Sequence, residues 1–279
     1  MKSISVLDKH VSVLSERLIH LTGLWESKLD YGLAGRVAIV TGGTRGLGRA
    51  ISAALAAQGC DVIACARSEP DSLPEGVEFA ALDVRDPEAV EALVADVVAK
   101  HGRLDIIVNN AGGSPESEAA TASPRFAEAI AKLNLLAPYF LSRAAFAHLE
   151  KSDGAAIVNI ASVSGIRPSP GTSIYGAAKA GLLSLTKSLA QEWGPSGVRV
   201  NAIIVGLAET EAAAETYGSE EARAKIGASL PLGRMAQGDD IARAVLYLVS
   251  EASDYVSGAW LNVDGGGERP LFLDIVKGG

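Results

Sequence analysis

Apolar and polar positions divide the chain into two textures. Over the first 34 residues, apolar side chains recur at alternating steps of four and three, at Leu7, Val11, Leu14, Leu18, Leu21 and Trp25, a one-sided stripe that predicts an amphipathic helix. The mixed charges around it, Asp8, Lys9, Glu16 and Arg17, favour packing on the chain's own domain or a neighbouring subunit. A membrane-surface helix would call for a polar face rich in Lys and Arg. From Arg36 onward, short β-rich runs alternate with longer helical patterns: RVAIVT, CDVIACA, VEFAAL, LDIIVNN, AAIVNIA, VRVNAIIV and AWLNVDGG. Seven strands are implied. The intervals between them are long enough for a helix or crossover, and runs apolar on both faces belong to a parallel sheet covered on both sides. The predicted fold is α/β: a doubly wound, seven-stranded parallel sheet with helices on both faces. Residues 35–279 form one domain behind an N-terminal helical extension, residues 1–34.

Composition narrows the function classes. The apolar share of 48% with 21% charged residues is that of a packed globular protein. A net charge of −8 without any basic run argues against nucleic acid as a partner and for a small molecule. Cys60 and Cys65 fall on or beside one apolar strand, which implies a reduced buried pair and no metal site. Charges interrupt residues 1–24, and no later apolar run reaches spanning length, so no membrane association and a cytoplasmic location are expected.

The first strand runs into Gly42, Gly43, Thr44, Arg45, Gly46, Leu47 and Gly48, followed by the Ala-rich helical stretch RAISAALAAQG. A glycine loop between a parallel strand and a helix N-terminus lets backbone approach a pyrophosphate, where free amides and the helix dipole favour negative charge. The spacing is G-x-x-x-G-x-G, and no Lys-Ser or Lys-Thr pair follows, which disfavours a nucleoside-triphosphate loop. The domain is therefore Rossmann-type. The second strand ends in Ala64, Cys65, Ala66 and Arg67, where an acid would be expected for the ribose hydroxyl of NAD. Arg67 instead offers a fork to a 2′-phosphate, with Arg45 as a second positive charge. NADP(H) is the preferred cofactor, and NAD(H) stays open because Glu69 lies close by.

Together these residues resemble the short-chain dehydrogenase/reductase family, in its single-domain branch. The resemblance covers roughly residues 33–267 and rests on TGGTRGLG at 41–48, Asp83, NNAG at 109–112, Asn134, Ser162, YGAAK at 175–179 and DGG at 264–266. It implies that Asp83 and Val84 meet the adenine, and that Asn109, Asn110, Ala111 and Gly112 line the adenosine side of the cofactor. It also implies that Thr210 binds the nicotinamide carboxamide, and that Asn134 holds a water linking Lys179 to solvent. A homotetramer is expected on the same ground, to which the N-terminal helix and the tail with Leu271, Phe272, Leu273 and Ile275 can add contacts.

Tyr175 and Lys179 are four apart at the start of a helical stretch, so both project from one face. A nearby ammonium favours a phenolate, so Lys179 is expected to tune Tyr175 as the acid/base. Ser162 closes the fifth strand at the carboxyl end of the sheet, where ligands collect, and its hydroxyl can meet a substrate oxygen. The expected activity is hydride transfer between NADP(H) and a carbonyl or secondary alcohol. An NAD-dependent alcohol or polyol dehydrogenase and a non-catalytic dinucleotide-sensing or scaffolding protein are the competing readings. After the sixth strand the family's Pro-Gly is Val205-Gly206 here, which loosens the carry-over to Thr210. A helical flap over about 206–230 is expected to close over the substrate. In the loop from Ser164 to Thr172, Arg167 either faces water or meets an anionic substrate group.

Overall fold

The computed structural model describes residues 31–211 and 213–276; the apolar stripe from Leu7 to Trp25 lies outside them. From Gly32 on the chain forms one compact unit. Each β-rich run becomes a strand: β1 (Val37–Thr41), β2 (Asp61–Ala66), β3 (Val77–Ala81), β4 (Ile106–Asn109), β5 (Ala156–Ser162), β6 (Arg199–Val205) and β7 (Trp260–Val263). They form one parallel sheet in the order β3-β2-β1-β4-β5-β6-β7. β1, β4 and β6 are buried at every position, as strands covered on both faces must be.

The helices are α1 (Gly46–Ala57), α2 (Pro87–His101), α3 (Pro124–Ala131), α4 (Ala137–Leu149), α5 (Ser173–Trp193), α6 (Ala213–Tyr217), α7 (Glu220–Ser229), α8 (Gly238–Val249) and α9 (Leu271–Val276). α1 packs on α8, whereas α2 packs on α4, and α5 lies on β5 and β6. The larger apolar cluster joins Ile39, Ile63, Ile107 and Ile157 of the sheet to Val90, Val94, Leu141 and Leu189 of the helices. Local chemistry sets several boundaries. Asp86 accepts from the Glu88 and Ala89 amides to start α2. Gly102, with φ of 76°, ends it.

The stretch AKLNLLAPYF contains a π-helical turn over Lys132–Leu136. Pro138 has no N–H to give the Asn134 carbonyl four residues back, and the Asn134 side chain donates to the Ile130 carbonyl at 3.0 Å. Both disturb the helical ladder at the same place.

Two buried polar systems bind the sheet to its surroundings. At the end away from the glycine loop, the Asp105 carboxylate accepts from the Val37 amide at 2.8 Å, from Arg103 at 2.8 Å and from the Ser152 hydroxyl. Burial alone would raise its pKa, but these donors together hold it below the usual carboxylate range. Across the middle, Asn109 donates to Asn159 at 2.8 Å and to Ser142 at 3.1 Å, and Asn159 donates to Thr186 at 2.9 Å. Cys60 and Cys65 are free and buried, and burial pushes both thiols up to about 12.

Candidate active site

The strand order reverses direction between β1 and β4, so the loops leaving these two strands diverge and open a crevice at their carboxyl ends. Thr41 stitches its floor: its hydroxyl accepts from the Asn110 and Ala111 amides, each at 3.0 Å. The Asn110 side chain donates to the Thr41 carbonyl at 2.9 Å and to the Gly42 carbonyl at 3.2 Å. This brings the glycine loop and the Asn110–Gly112 segment together.

The loop residues fit a dinucleotide phosphate. A Cβ on Gly48 would collide with the Gly42 carbonyl oxygen and stand 2.5 Å from Asn110 Nδ2, so a side chain there would fill the cradle. The first turn of α1 contains no acidic side chain, and Arg45 before it makes no side-chain cap, which leaves its amides for a ligand. Thr44 is buried, while Arg45 projects outward and Leu47 is half-buried. Thr210 lies against Gly46, as does a residue that the sequence reading missed: a Cβ on Gly46 would stand 3.4 Å from Glu211 Oε2. A carboxylate rests where phosphate oxygens would be favoured.

Arg67 is exposed at the end of β2 and near enough to Asp83 to help lower its pKa. Asp83 itself is clasped by Arg85, whose Nε donates at 2.9 Å and Nη2 at 2.6 Å, and this holds the carboxyl at about 2. Val84 is buried in the apolar cluster, so only its backbone can face a ligand.

Ser162, Tyr175 and Lys179 converge. Ser162 is extended at the end of β5, and its hydroxyl accepts from the Ser164 amide at 3.2 Å, so it also caps the short turn after the strand. Lys179 is 3% exposed, and its Nζ donates to the Ile160 carbonyl at 2.7 Å and lies 5.7 Å from the centre of the Tyr175 ring. Burial pushes this ammonium down to about 8. Burial also pushes the Tyr175 hydroxyl up, opposed by the Ser162 hydroxyl beside it. The direction differs from the expected lowering by Lys179. The reason is geometric: the ammonium sits over the ring and is held by a strand carbonyl, so desolvation dominates.

Asn134 is fully buried, donates to the Gly113 carbonyl at 2.9 Å and accepts from the Gly113 amide at 2.9 Å. A Cβ on Gly112 would stand 2.7 Å from Asn134 Oδ1 and 3.2 Å from Lys179 Nζ. Asn134 therefore faces the Lys179 side of the crevice with its side chain clamped to the loop.

α6 carries Tyr217, which lies near enough to Tyr175 to disfavour its ionisation. Arg223 of α7 holds Glu209 at 2.7 Å. Val205, in the place of the family's Pro, stays in β6 and pairs with Val263. Arg167 neither faces water alone nor stands unmatched: it is bound to Glu268. Nothing in the sequence pattern marks Tyr217, Glu211 or Glu268, because the residues they meet, Tyr175, Gly46 and Arg167, lie far from them in the chain.

Residues 42–268 match the family model described as enoyl-(acyl carrier protein) reductase. The 3-oxoacyl-[acyl-carrier-protein] reductase FabG of Escherichia coli is 37% identical over 238 residues, covering 83% of this chain and 97% of that protein. The protein of the same name from Thermotoga maritima is 33% identical, covering 84% and 98%. Among solved structures, ligand-free aldohexose dehydrogenase of Thermoplasma acidophilum superposes with a TM-score of 0.80 at 29% identity, covering 85% of this chain and 95% of that one. A putative short-chain alcohol dehydrogenase from Sinorhizobium meliloti gives 0.77 at 33%, covering 84% and 96%. The parallel seven-stranded order, the glycine loop on β1 and these likenesses agree, and the chain belongs to the short-chain dehydrogenase/reductase family of oxidoreductases acting on carbonyl and alcohol groups.

Proposed function

We propose that the protein is an NADP(H)-dependent carbonyl reductase whose substrate is a ketone of the 3-oxoacyl type, by likeness to its FabG relatives. The observation that carries the reading is the convergence of Ser162, Tyr175 and a buried Lys179 beside a glycine cradle. Gly42, Thr44, Gly46, Leu47 and Gly48 would hold the pyrophosphate. Asp83, Val84, Asn110 and Ala111 would line the adenosine, and Thr210 would take the carboxamide. The exposed forks of Arg67 and Arg45 would meet the 2′-phosphate, which is the reason for preferring NADP(H) over NAD(H).

When bound, the nicotinamide supplies the hydride. Ser162 donates a hydrogen bond to the carbonyl oxygen, and Tyr175 gives that oxygen its proton as negative charge builds on it, a gain larger in the transition state than in the ground state. The raised pKa of Tyr175 keeps its proton in place at neutral pH, the state a reduction requires. The Lys179 ammonium over the ring stabilises the phenolate that remains, and its spare N–H bonds are available to a ribose hydroxyl. Asn134 holds Gly113 and would hold a water linking Lys179 to solvent. Exposed Leu136, Tyr139 and Trp260 support assembly as a homotetramer.

Calorimetric titration with NADPH and NADH, with turnover of a ketone panel, tests the reading. Tyr175→Phe should lower kcat by about 10²–10⁴-fold, the range for loss of a general acid, and leave NADPH affinity within threefold. Turnover that survives the substitution would exclude Tyr175 as the acid. The likeness to aldohexose dehydrogenase favours one second reading, an NAD-linked alcohol or sugar dehydrogenase, which NADH preference and sugar oxidation would reveal.

A further inference from the structure

Arg167 stands five residues past Ser162, and its guanidinium closes on a carboxylate 101 residues further along the chain. Nε lies 2.6 Å from Glu268 Oε2, and Nη2 donates to Glu268 Oε1 at 3.0 Å. A third nitrogen donates to the Pro168 carbonyl at 3.3 Å. This two-point fork is the geometry in which a guanidinium takes any carboxylate or phosphate. Both side chains remain exposed, 39% and 41%, so the bond between them contributes little and Glu268 exchanges readily for another anion.

Position gives that exchange a chemical meaning. Tyr217 of the flap senses the charges of both Glu268 and Arg167, and Tyr175 senses Tyr217. Arg167 also lines a cavity with Ser164, Gly165 and Gly176, the residue after Tyr175, so the ion pair stands beside the loop that joins Ser162 to the helix of Tyr175. Glu209, another acid that Tyr217 senses, is already matched by Arg223. The stem carrying Arg167 is firm as well. A Cβ on Gly165 would stand 2.9 Å from the Lys179 carbonyl carbon and 3.0 Å from the Ala180 nitrogen, so this loop lies directly on the helix that carries Tyr175 and Lys179. The guanidinium thus projects from a base fixed relative to the reacting groups.

We propose that Arg167 anchors an anionic group of the substrate and that Glu268 occupies the anchor in its absence. The substrate class becomes a ketone bearing a carboxylate or a phosphate away from the reacting carbon. This rests on the reading of Ser162, Tyr175 and Lys179 as the reducing site.

The test uses the full chain and two matched pairs of probes: 3-oxobutanoate against its methyl ester, and acetoacetyl-coenzyme A against the N-acetylcysteamine thioester. Calorimetry on the NADP⁺-saturated protein reads affinity, and NADPH oxidation by protein free of NADP⁺ reads turnover. One anionic probe should bind at least tenfold better than its neutral partner, and which one does so separates a carboxylate from a phosphate as the anchored group. Arg167→Gln should erase that preference while changing the neutral probe less than twofold. Glu268→Gln should tighten the anionic probe about two- to fivefold, because the resident competitor is gone. An anionic-to-neutral ratio near one in the native protein, or a ratio unchanged by Arg167→Gln, overturns the anchor even where Tyr175→Phe abolishes turnover of the neutral ester. Turnover that persists in Tyr175→Phe overturns the reading of the site itself, independently of the ratio.

Discussion

Lys179→Met should raise the stability of the cofactor-free protein while abolishing its turnover. Burial holds the Lys179 ammonium at about 8, well below the 10.5 of a free lysine, which corresponds to a penalty of about 3 kcal/mol for keeping it charged in the folded state. Methionine fills similar volume without charge, and forfeits the 2.7 Å hydrogen bond to Ile160, a loss of about 1 kcal/mol. The net gain of about 2 kcal/mol at pH 7 corresponds to a Tm higher by about 4–8 °C for a domain of this size. The pH dependence carries the sharper test. Between pH 8 and 10.5 an unfolded lysine holds its proton and the folded one has released it, so native stability rises with pH across that window. Below pH 8 both are charged and the penalty is complete. The advantage of Lys179→Met should therefore be constant from pH 6 to 8 and vanish by about pH 10.5, since groups common to both proteins cancel in the difference. Thermal melts of the two proteins at half-unit steps provide the measurement. A variant that melts at or below the native protein at pH 7, or a difference that ignores pH, would refute the claim that desolvation of Lys179 is a cost the fold bears for its site.

Glu211→Gln should tighten NADPH binding about two- to fivefold at low salt, since a carboxylate at a helix N-terminus contributes about 0.3–1 kcal/mol and here competes with phosphate. The gain should shrink in 0.5 M NaCl, and calorimetry showing weaker binding, or a gain indifferent to salt, would exclude the competition. Asp105→Asn should cost about 2–4 kcal/mol in urea unfolding at pH 7, because a neutral amide cannot accept from Val37, Arg103 and Ser152 at once. The Asp105 carboxyl is held below its unfolded value. Its contribution is complete above about pH 4 and lost as the pH falls through the lower folded value, so the gap between the two proteins should close on acidification.

Much of the architecture was legible along the chain, because the central strands β1, β4, β5 and β6 are short apolar runs that only a sheet covered on both faces can bury, and helices separate every consecutive pair of strands except β2 and β3. The glycine loop was legible for a local reason: Gly48 leaves space that any side chain would close. Ser162, Tyr175 and Lys179 could be paired in advance from a strand end and a helical step of four, and the structure brings them together. The π-helical turn was within reach, since Pro138 stands four residues after Asn134, but its width depends on the Asn134 side chain turning to Ile130 and Gly113.

What the sequence determined by itself are the properties set within one element: strand, helix, turn, and the spacing of side chains on a single face. Only the tertiary structure decided which charges meet and what surrounds them. The fork of Arg167 on Glu268 spans 101 residues, and Arg143 meets Glu91 across 52. The direction in which Tyr175 and Lys179 shift was likewise settled by packing, because desolvation is a property of everything around a group and not of the residues beside it in the chain.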